Sequence, residues 1–248
     1  MFKLTITADS RVGCVRTNNE DMILVNDVFV RDGAASAQVS IDHVDRYLLA
    51  LADGMGGHKK GEVASSDVLH NLQFFFNDIP SNMEPGAFNE TIVEWLESVN
   101  IMLDSKGRVD SRYRGMGTTL VALAFYSGHY YWMNCGDSRI YRFRDGQLTQ
   151  LSTDHSLSNI MGGDCRSGLI TNCIGGGCKT SYIDMMQITS SIASSDVYLL
   201  CSDGLSDMLS NDEIERLLAE GADATSLCNA AEEAGGSDNV SVVVVHVE

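Results

Sequence analysis

The chain is 248 residues long, 44% hydrophobic and strongly acidic, with a formal net charge of -17. A chain of this size can bury a large core, whereas its acidity excludes non-specific binding to nucleic acid or to an anionic membrane surface. Apolar runs stay well short of the roughly 18 residues of a membrane span, and the N-terminus lacks a signal-peptide core. With two prolines and no linker-like segment, residues 1–248 are predicted to form a single cytoplasmic domain.

Strand-like runs lie at both ends of the chain, with helical patterns between them. Nine runs alternate or are continuously apolar as strands are: "KLTITA", "MILVND", "YLLALAD", "TTLVALAFY", "HYYWMNC", "RIYRFR", "QLTQL", "DVYLLCSD" and "NVSVVVVHV". Helical spacing predicts helices over residues 62–79, 87–107 (ending on glycine), 210–221 and 223–236. Because strict βαβ alternation is absent, the pattern predicts an α+β sandwich with sheets inside and helices outside.

The seven cysteines are predicted to be reduced structural thiols, since the count is odd and no CxxC pair occurs. Cys135 and Cys201 lie in strand-like runs, where a free cysteine behaves as a small apolar residue. Cys173 and Cys178 flank "IGGG", a segment whose composition is too flexible to indicate a site. No two histidines have helical ligand spacing, so zinc is not expected.

Four Asp-Gly pairs divide into two kinds. Asp145-Gly146 lies between two alternating runs, which predicts a tight hairpin, and Asp32-Gly33 is predicted to be a turn in a hairpin insertion. Asp53 and Asp203 instead end runs that are apolar on both faces, as central strands are. These two carboxylates are therefore predicted to emerge at a sheet edge.

Further acids occupy comparable positions. Asp137 lies between two strands, Asp238 precedes the last strand, and Glu20 and Asp21 precede the second. If these ends converge, five or more carboxylates share one cleft and repel each other unless cations or protons neutralise them. Ligation by oxygen alone favours Mg²⁺ or Mn²⁺ over zinc. The alternative is that each acid is a separate cap or turn residue.

Six motifs, in order, resemble those of bacterial metal-dependent serine/threonine protein phosphatases of type 2C: "VRTNNED", "ALADGMGGHKKGEVAS", "GMGTTL", "NCGDSRIYRFRDGQL", "LLCSDGLSDMLSNDEI" and "GGSDNVSVVVV". The resemblance runs from about Arg11 to the C-terminus. It implies a β-sandwich of two antiparallel sheets flanked by helical layers (α-β-β-α). It also implies hydrolysis of phosphoserine and phosphothreonine by a metal-activated water, without a covalent intermediate. The implied partners are phosphorylated proteins, substrates of a partner kinase, and the enzyme is expected to be a monomer.

The resemblance implies two Mn²⁺ or Mg²⁺ ions, with a third, weaker ion beside them. Asp53 is expected to bridge the two main ions, and Asp137 to help bind the third. The implied ligands are Glu20, Asp53, the Gly54 carbonyl, Asp137, Asp203 and Asp238. Glycine at position 54 is interpreted as leaving room for a backbone carbonyl and for phosphate.

Arg16, four residues before Glu20, is expected to bind the substrate phosphate, and catalysis is expected to depend on Arg16, Asp53 and Asp203. Eukaryotic relatives have a histidine where this chain has Met55, so the proton for the leaving alcohol must come from a metal-held water or from another group. His58 is left with two roles, in proton transfer or in positioning its loop.

Three further expectations follow from the motifs. Arg139 is expected to hold the "GDSR" turn through ion pairs, and Asn239 to orient the loop of Asp238. Residues 158–180 are predicted to form a shortened, mobile lip without a helical flap. Two rival functions stay open: a binding module that has lost catalysis, and a hydrolase of other phosphoesters.

Overall fold

The computed structural model describes residues 2–56, 60–162, 169–178 and 180–248. The strands are β1 Lys3–Arg11, β2 Met22–Val25, β3 Val28–Val30, β4 Gly33–Ser40, β5 Arg46–Ala52, β6 Gly54–Met55, β7 Gly117–Thr118, β8 Leu120–Tyr126, β9 His129–Cys135, β10 Arg139–Arg144, β11 Gln147–Gln150, β12 Ile174–Gly175, β13 Asp184–Gln187, β14 Val197–Cys201 and β15 Val240–Val247. The helices are α1 Lys60–Asp78, α2 Pro85–Val109, α3 Leu157–Met161, α4 Asp203–Ser206, α5 Asn211–Ala219 and α6 Ala224–Glu233. Short 3-10 turns occupy Ile41–His43 and Ser111–Tyr113.

Two six-stranded antiparallel sheets form the centre of the molecule. The first has the order β11-β10-β14-β15-β1-β4, and the second has the order β13-β9-β8-β5-β2-β3. A small sheet, β12-β7-β6, adds three two-residue strands. All nine predicted strands are present, and the predicted sandwich of two antiparallel sheets is confirmed.

Side-chain alternation divides the core into three layers. In β5, Leu49 and Leu51 face the core between the sheets, whereas Leu48 and Ala50 pack with α1 and α2. The valines of β15 alternate in the same way between the inter-sheet core and the layer of α5 and α6. Both strands are thus buried on two faces, as the continuous apolar sequence of β5 predicted. None of the helices in the described ranges is long and apolar enough to cross a membrane.

The start of α5 agrees with the prediction from sequence, whereas the end of α2 does not. At α5, Ser210 Oγ accepts from the Glu213 N–H at 3.3 Å, and the Glu213 carboxylate accepts from the Ser210 N–H at 2.8 Å. The predicted end of α2 at Gly107 is wrong, because the helix continues to Val109. A Cβ at Gly107 would lie 3.1 Å from the Tyr113 carbonyl oxygen. Glycine inside α2 therefore lets the chain at Tyr113 pack closely against the helix.

Two Asp-Gly pairs are turns, as predicted. Asp145 and Gly146 have φ of 52° and 79°, which is the conformation of a two-residue hairpin between β10 and β11. Asp32, with φ of 54°, also lies in a turn. There, however, the chain passes from β3 in the second sheet to β4 in the first. The expected hairpin insertion at Asp32-Gly33 is therefore wrong.

The segment predicted as a mobile lip without a helical flap contains one short helix and one short strand. Ser156 Oγ accepts from the Asn159 N–H at 3.4 Å at the start of α3, and Gly162, with φ of 79°, ends that helix. Further on, β12 pairs with β7. A cap at each end thus stabilises one helical turn here despite the nearby glycines, and the lack of a helical flap stays a prediction. The remainder of the lip, residues 163–168 and 179, lies outside the described residues.

Candidate active site

Four chain segments that flank central strands meet at one edge of the sandwich. Asp53 directly follows β5, and Asp203 follows β14 after one residue. Glu20 and Asp238 lie just before β2 and β15. Together they line a cleft of about 640 Å³. Six of the predicted site residues line this cleft: Arg16, Glu20, Asp53, Gly54, Asp203 and Asp238.

The backbone of Asp53 is held by Thr118, at the end of β7, and by Thr119, directly before β8. The Asp53 N–H donates to Thr119 Oγ1 at 3.0 Å, and its carbonyl accepts from the Thr119 N–H at 2.9 Å and from Thr118 Oγ1 at 2.8 Å. Thr119 Oγ1 also lies 2.7 Å from Ser138 Oγ, in the turn beside Asp137. The carboxylate of Asp53 therefore extends from a fixed backbone. Sequence reasoning gave the threonines no role, although they are the polar part of "GMGTTL".

Gly54 is required by close packing against the start of α1. A Cβ at Gly54 would lie 2.1 Å from the Gly61 carbonyl oxygen and 2.6 Å from that of Glu20. A Cβ at Gly61 would in turn lie 2.6 Å from Glu20 Oε2. Backbone oxygens of Gly61 and Glu20 thus fill the space beside Gly54, so close packing requires glycine here, and the room for phosphate expected from the sequence stays a prediction.

Asn239 joins the loop of Arg16 and Glu20 to the loop of Asp238. Its Oδ1 accepts from the Glu20 N–H at 2.9 Å, and its Nδ2 donates to the carbonyls of Val12 and Asn18, both at 2.9 Å. One amide side chain thus fixes both loops at the rim of the cleft. These contacts fit the orienting role expected for Asn239 and extend it to Glu20.

Arg16 carries a positive charge at the rim of this acidic cleft. Its Nη2 donates to Asp238 Oδ2 at 2.6 Å, while 55% of the Arg16 side chain stays exposed. The hydrogen bond to Asp238, with the nearby charges of Asp203 and Glu20, raises the pKa of Arg16 above its usual value. The guanidinium can therefore reach an anion in the cleft only by sharing or leaving Asp238.

The carboxylates of the cleft hold protons far more strongly than they would in water. Burial, followed by the charges of Asp137 and Asp238, raises the pKa of Asp203 to about 8. Burial and the charge of Asp21 raise the pKa of Asp53 well above 3.8. Burial also raises the pKa of Glu20. The full negative charge of the cluster at neutral pH thus requires cations.

Two deeper carboxylates have an oxygen without a hydrogen-bond partner among the described residues, namely Asp21 Oδ1 and Asp137 Oδ1. Burial raises the pKa of each to about 6. Asp21 Oδ2 accepts from Ser202 Oγ at 2.9 Å, directly before Asp203. Asp137 is not among the described residues that line the cleft, but its charge raises the pKa of Asp203. Sequence reasoning noticed Asp21 before β2 without giving it a role.

The donor set fits a hard divalent cation, because every candidate ligand is an oxygen and two buried carboxylate oxygens lack a partner among the described residues. Over the described ranges, no three His, Cys, Asp or Glu side chains have the spacing of a ready-made metal site. The ion pair with Arg16 occupies one oxygen of Asp238.

Arg139 and His155 support the turn that carries Asp137. Arg139 donates to both carboxylate oxygens of Asp154, with Nε at 2.9 Å and Nη2 at 2.6 Å, as expected for a residue that holds the turn. His155 Nδ1 accepts from the Gly136 N–H at 3.1 Å, so the ring proton lies on Nε2, 3.1 Å from Asp184 Oδ2. Met55 lines the cleft, and His58 lies outside the described residues.

The layered sandwich with an acidic cleft at one edge defines the architectural class of the type 2C phosphatases. Residues 35–238 match the model of the family described as protein phosphatase 2C. The chain therefore belongs to the protein phosphatase 2C family, and the family predicted from its motifs is confirmed.

Named relatives and solved structures agree with this membership. Protein phosphatase PhpP of Streptococcus pneumoniae is 34% identical over 94% of both chains. Serine/threonine protein phosphatase PstP of Mycobacterium tuberculosis is 33% identical over 98% of this chain, which spans only 45% of that relative. The S. agalactiae serine/threonine phosphatase structure has a TM-score of 0.80 at 28% identity, covering 99% of this chain and 100% of that one. The PstP catalytic domain, in complex with two manganese ions, has a TM-score of 0.74 at 33% identity, covering 100% and 99%.

Proposed function

We propose that this chain is a metal-dependent phosphatase that hydrolyses phosphoserine and phosphothreonine in proteins. The observation that carries the proposal is the convergence of Glu20, Asp53, Asp203 and Asp238 on one cleft with Arg16 at its rim. Membership of the protein phosphatase 2C family supports it, as do relatives named serine/threonine phosphatases at 33–34% identity.

Two Mn²⁺ or Mg²⁺ ions are proposed to bind in the cleft, and the manganese-bound PstP relative supports this assignment. When bound, the two cations neutralise phosphate charge and activate a water for attack on phosphorus. Asp53 would be a ligand of both ions, and Asp137 would help to hold a third, weaker ion. The proposed ligands are Glu20, Asp53, the Gly54 carbonyl, Asp137, Asp203 and Asp238.

Arg16 binds the substrate phosphate in this proposal. Its planar guanidinium can donate to two phosphate oxygens at once and so orient the ester for displacement. Arg16 would be free for substrate once Asp238 served as a metal ligand, because its 2.6 Å ion pair with Asp238 would then weaken. Met55 has no proton to give to the leaving alcohol. Because Arg16 binds the phosphate and Asp53 and Asp203 are metal ligands in this proposal, turnover is expected to depend most on these three residues.

The test is phosphate release from matched phosphoserine and phosphothreonine peptides, with Mn²⁺, with Mg²⁺ and with excess chelator. We expect release with either metal and none with chelator. Asp203→Ala should abolish turnover, whereas Asp212→Ala, at an exposed position in the first turn of α5, should not change it. Peptide binding without release would indicate a phosphoprotein-binding module. Faster hydrolysis of small phosphate esters than of any peptide would indicate a different phosphoesterase.

The proposal extends to the domain organisation, the oligomeric state and the location of the enzyme. We propose that residues 1–248 act as one catalytic domain, as a monomer in the cytoplasm, on substrates of a partner kinase. The cysteines in the described ranges are free thiols, which fits a reducing compartment. Sedimentation of the purified chain tests the monomer, and activity of the isolated chain tests the single domain.

A further inference from the structure

The segment "CIGGGC" brings two thiols into contact beside the small sheet. Cys173 Sγ and Cys178 Sγ lie 3.3 Å apart. Cys173 is buried, whereas Cys178 is partly exposed. Bonded sulfurs are about 2.05 Å apart, so these thiols touch without being bonded and need about 1.2 Å of further approach.

Three consecutive glycines make this contact. Gly175, Gly176 and Gly177 have φ of 75°, 63° and 82°, a run that residues with a side chain rarely adopt. The turn is closed by the Cys178 N–H, which donates to the Gly175 carbonyl at 2.9 Å. A Cβ at Gly176 would lie 2.7 Å from Cys173 Sγ. The glycines thus reverse the chain and leave room for the sulfur pair, so the segment is a defined turn, contrary to its interpretation as too flexible for a site.

The two thiols differ in their access to solvent. Burial, then the hydrogen bond with Cys178, raises the pKa of Cys173 to about 12, so Cys173 keeps its proton at neutral pH. The partly exposed Cys178 is consequently the sulfur that an oxidant reaches first. An accessible sulfur next to a buried thiol has the arrangement of an attacking and a resolving cysteine.

We propose that Cys173 and Cys178 are a hydroperoxide-sensitive modification site that closes to a reversible disulfide and lowers turnover. Cys178 attacks the peroxide, forming an S–O bond as the O–O bond breaks, and water leaves when the oxidant is hydrogen peroxide. Cys173 then attacks the oxidised sulfur, forming the S–S bond. Hydroxide leaves and takes the Cys173 proton as a second water. Two thiols are oxidised, and one peroxide is reduced.

The small sheet connects this turn to the cleft. Gly175 pairs with Gly117, which pairs with Met55, and the Gly176 N–H donates to the Met116 carbonyl at 2.8 Å. Drawing the sulfurs together shifts the turn against the strand that holds Met55 in the cleft wall. Since a 1 Å misplacement can cost up to about 100-fold in rate, a several-fold loss on closure is expected.

The first test is peptide mapping of the full-length reduced protein after brief treatment with hydrogen peroxide. We expect a peptide with Cys173 bonded to Cys178, restored to two thiols by dithiothreitol. Cys173→Ser should instead leave a sulfenic acid on Cys178 that a dimedone probe traps. Cys14→Ser, which removes an exposed thiol elsewhere, should leave the Cys173–Cys178 bond unchanged. Oxidation confined to Cys14, or a Cys135–Cys173 bond, would overturn the assignment.

The second test measures phosphate release on the same samples, and this part depends on the proposed function. Peroxide should lower wild-type turnover by roughly tenfold at most, and thiol should restore it. The Cys173→Ser/Cys178→Ser variant should keep its activity. A mapped disulfide with unchanged turnover would refute the coupling to the cleft. Because the mapping does not require activity, a failure of the proposed function would leave the first test intact.

Discussion

The same two residues, Asp-Gly, occur at the cleft and at a hairpin for opposite reasons. Gly146 has φ of 79°, and an added Cβ would meet nothing within 4 Å, so glycine is needed there only for its backbone conformation. At Gly54 no positive φ is required, but a Cβ would lie 2.1 Å from the Gly61 carbonyl oxygen. Glycine is therefore required at position 146 for its backbone conformation and at position 54 for close packing.

The two aspartates differ just as clearly. Asp145 begins a surface turn between β10 and β11. The Asp53 backbone is fixed by Thr118 and Thr119, and its pKa is raised by burial and by neighbouring acids. The Asp-Gly pair alone therefore does not predict whether a position is a turn or part of a site. The two sites are distinguished by the length and apolarity of the strand before the aspartate and by the type of element after the glycine.

The largest expected contrast is in turnover between Asp53→Asn and Asp145→Asn. Substituting an outer partner of a metal ligand costs 10–100-fold, so loss of a bridging ligand should exceed about 100-fold in kcat/KM. Asp145→Asn should leave kcat/KM unchanged, since asparagine also adopts positive φ. Steady-state kinetics with a phosphothreonine peptide and saturating Mn²⁺ measures both. Equal activity of the two variants would remove Asp53 from the proposed metal site.

Sequence was sufficient for those parts of the fold in which side chains decide the structure. All nine long apolar or alternating runs are strands, and the Ser210 cap at α5 is as predicted. The missed strands are two to four residues long, except β4. The sequence of β4, "GAASAQVS", has low strand propensity and is held by its ladder with β1. Such pairing is a tertiary effect that a local pattern cannot indicate.

The candidate site divides in the same way. Carboxylates at strand ends were visible in the sequence because an acid after an apolar run is unusual. Thr119 and Gly61 were missed because they act through main-chain contacts and close approach. The ion pair between Arg16 and Asp238 was missed as well, since these residues are 222 positions apart.

Two ion pairs of equal length sharpen the contrast between the cleft and the surface. Arg16–Asp238 and Arg112–Asp110 both have an Nη2–Oδ2 distance of 2.6 Å. Losing a hydrogen bond to a charged phosphate costs about 1.5–3 kcal/mol, so Arg16→Ala should lower kcat/KM roughly 10- to 150-fold. Arg112→Ala, at a side chain that is 79% exposed, should leave kcat/KM unchanged.

The same Arg16→Ala variant also tests competition for Asp238. Because the guanidinium and a cation share one carboxylate, its removal should tighten Mn²⁺ binding slightly, as measured by calorimetry. A strong weakening of Mn²⁺ binding with unchanged competition by inorganic phosphate would mean that Arg16 supports the metal ligands instead.

The two glycines can be separated by their response to asparagine. Gly146→Ala should cost roughly 1–2 kcal/mol of unfolding free energy, because alanine disfavours positive φ, and Gly146→Asn should cost less. Gly54→Ala should cost about 1–3 kcal/mol through overpacking, and Gly54→Asn should cost more. Urea denaturation measures all four variants. A rescue by asparagine at position 54 would show that conformation, rather than space, requires glycine there.

The smallest expected effect is on the pH dependence of the unfolding free energy in the metal-free protein. Carboxylates of the cleft and carboxylates of helix caps should contribute to it with opposite signs. The folded-state pKa of Asp203 is raised to about 8, so between about pH 4 and pH 8 the folded state holds more protons than the unfolded state. The unfolding free energy should therefore fall as the pH rises through this window. At the α6 cap, Asp223 has the opposite sign, because hydrogen bonds from Ser226 lower its pKa and its contribution is lost only in acid.

Thermal unfolding in excess chelator should consequently show a Tm several degrees lower near about pH 8 than near about pH 5.5. Asp203→Asn should flatten this dependence, whereas Asp223→Asn should lower the Tm without changing its slope above about pH 5. Saturating Mn²⁺ should abolish the decline, since bound cations replace protons in neutralising the cleft. A Tm that rises with pH in chelator would show that the cleft carboxylates are already charged and solvated in the folded protein.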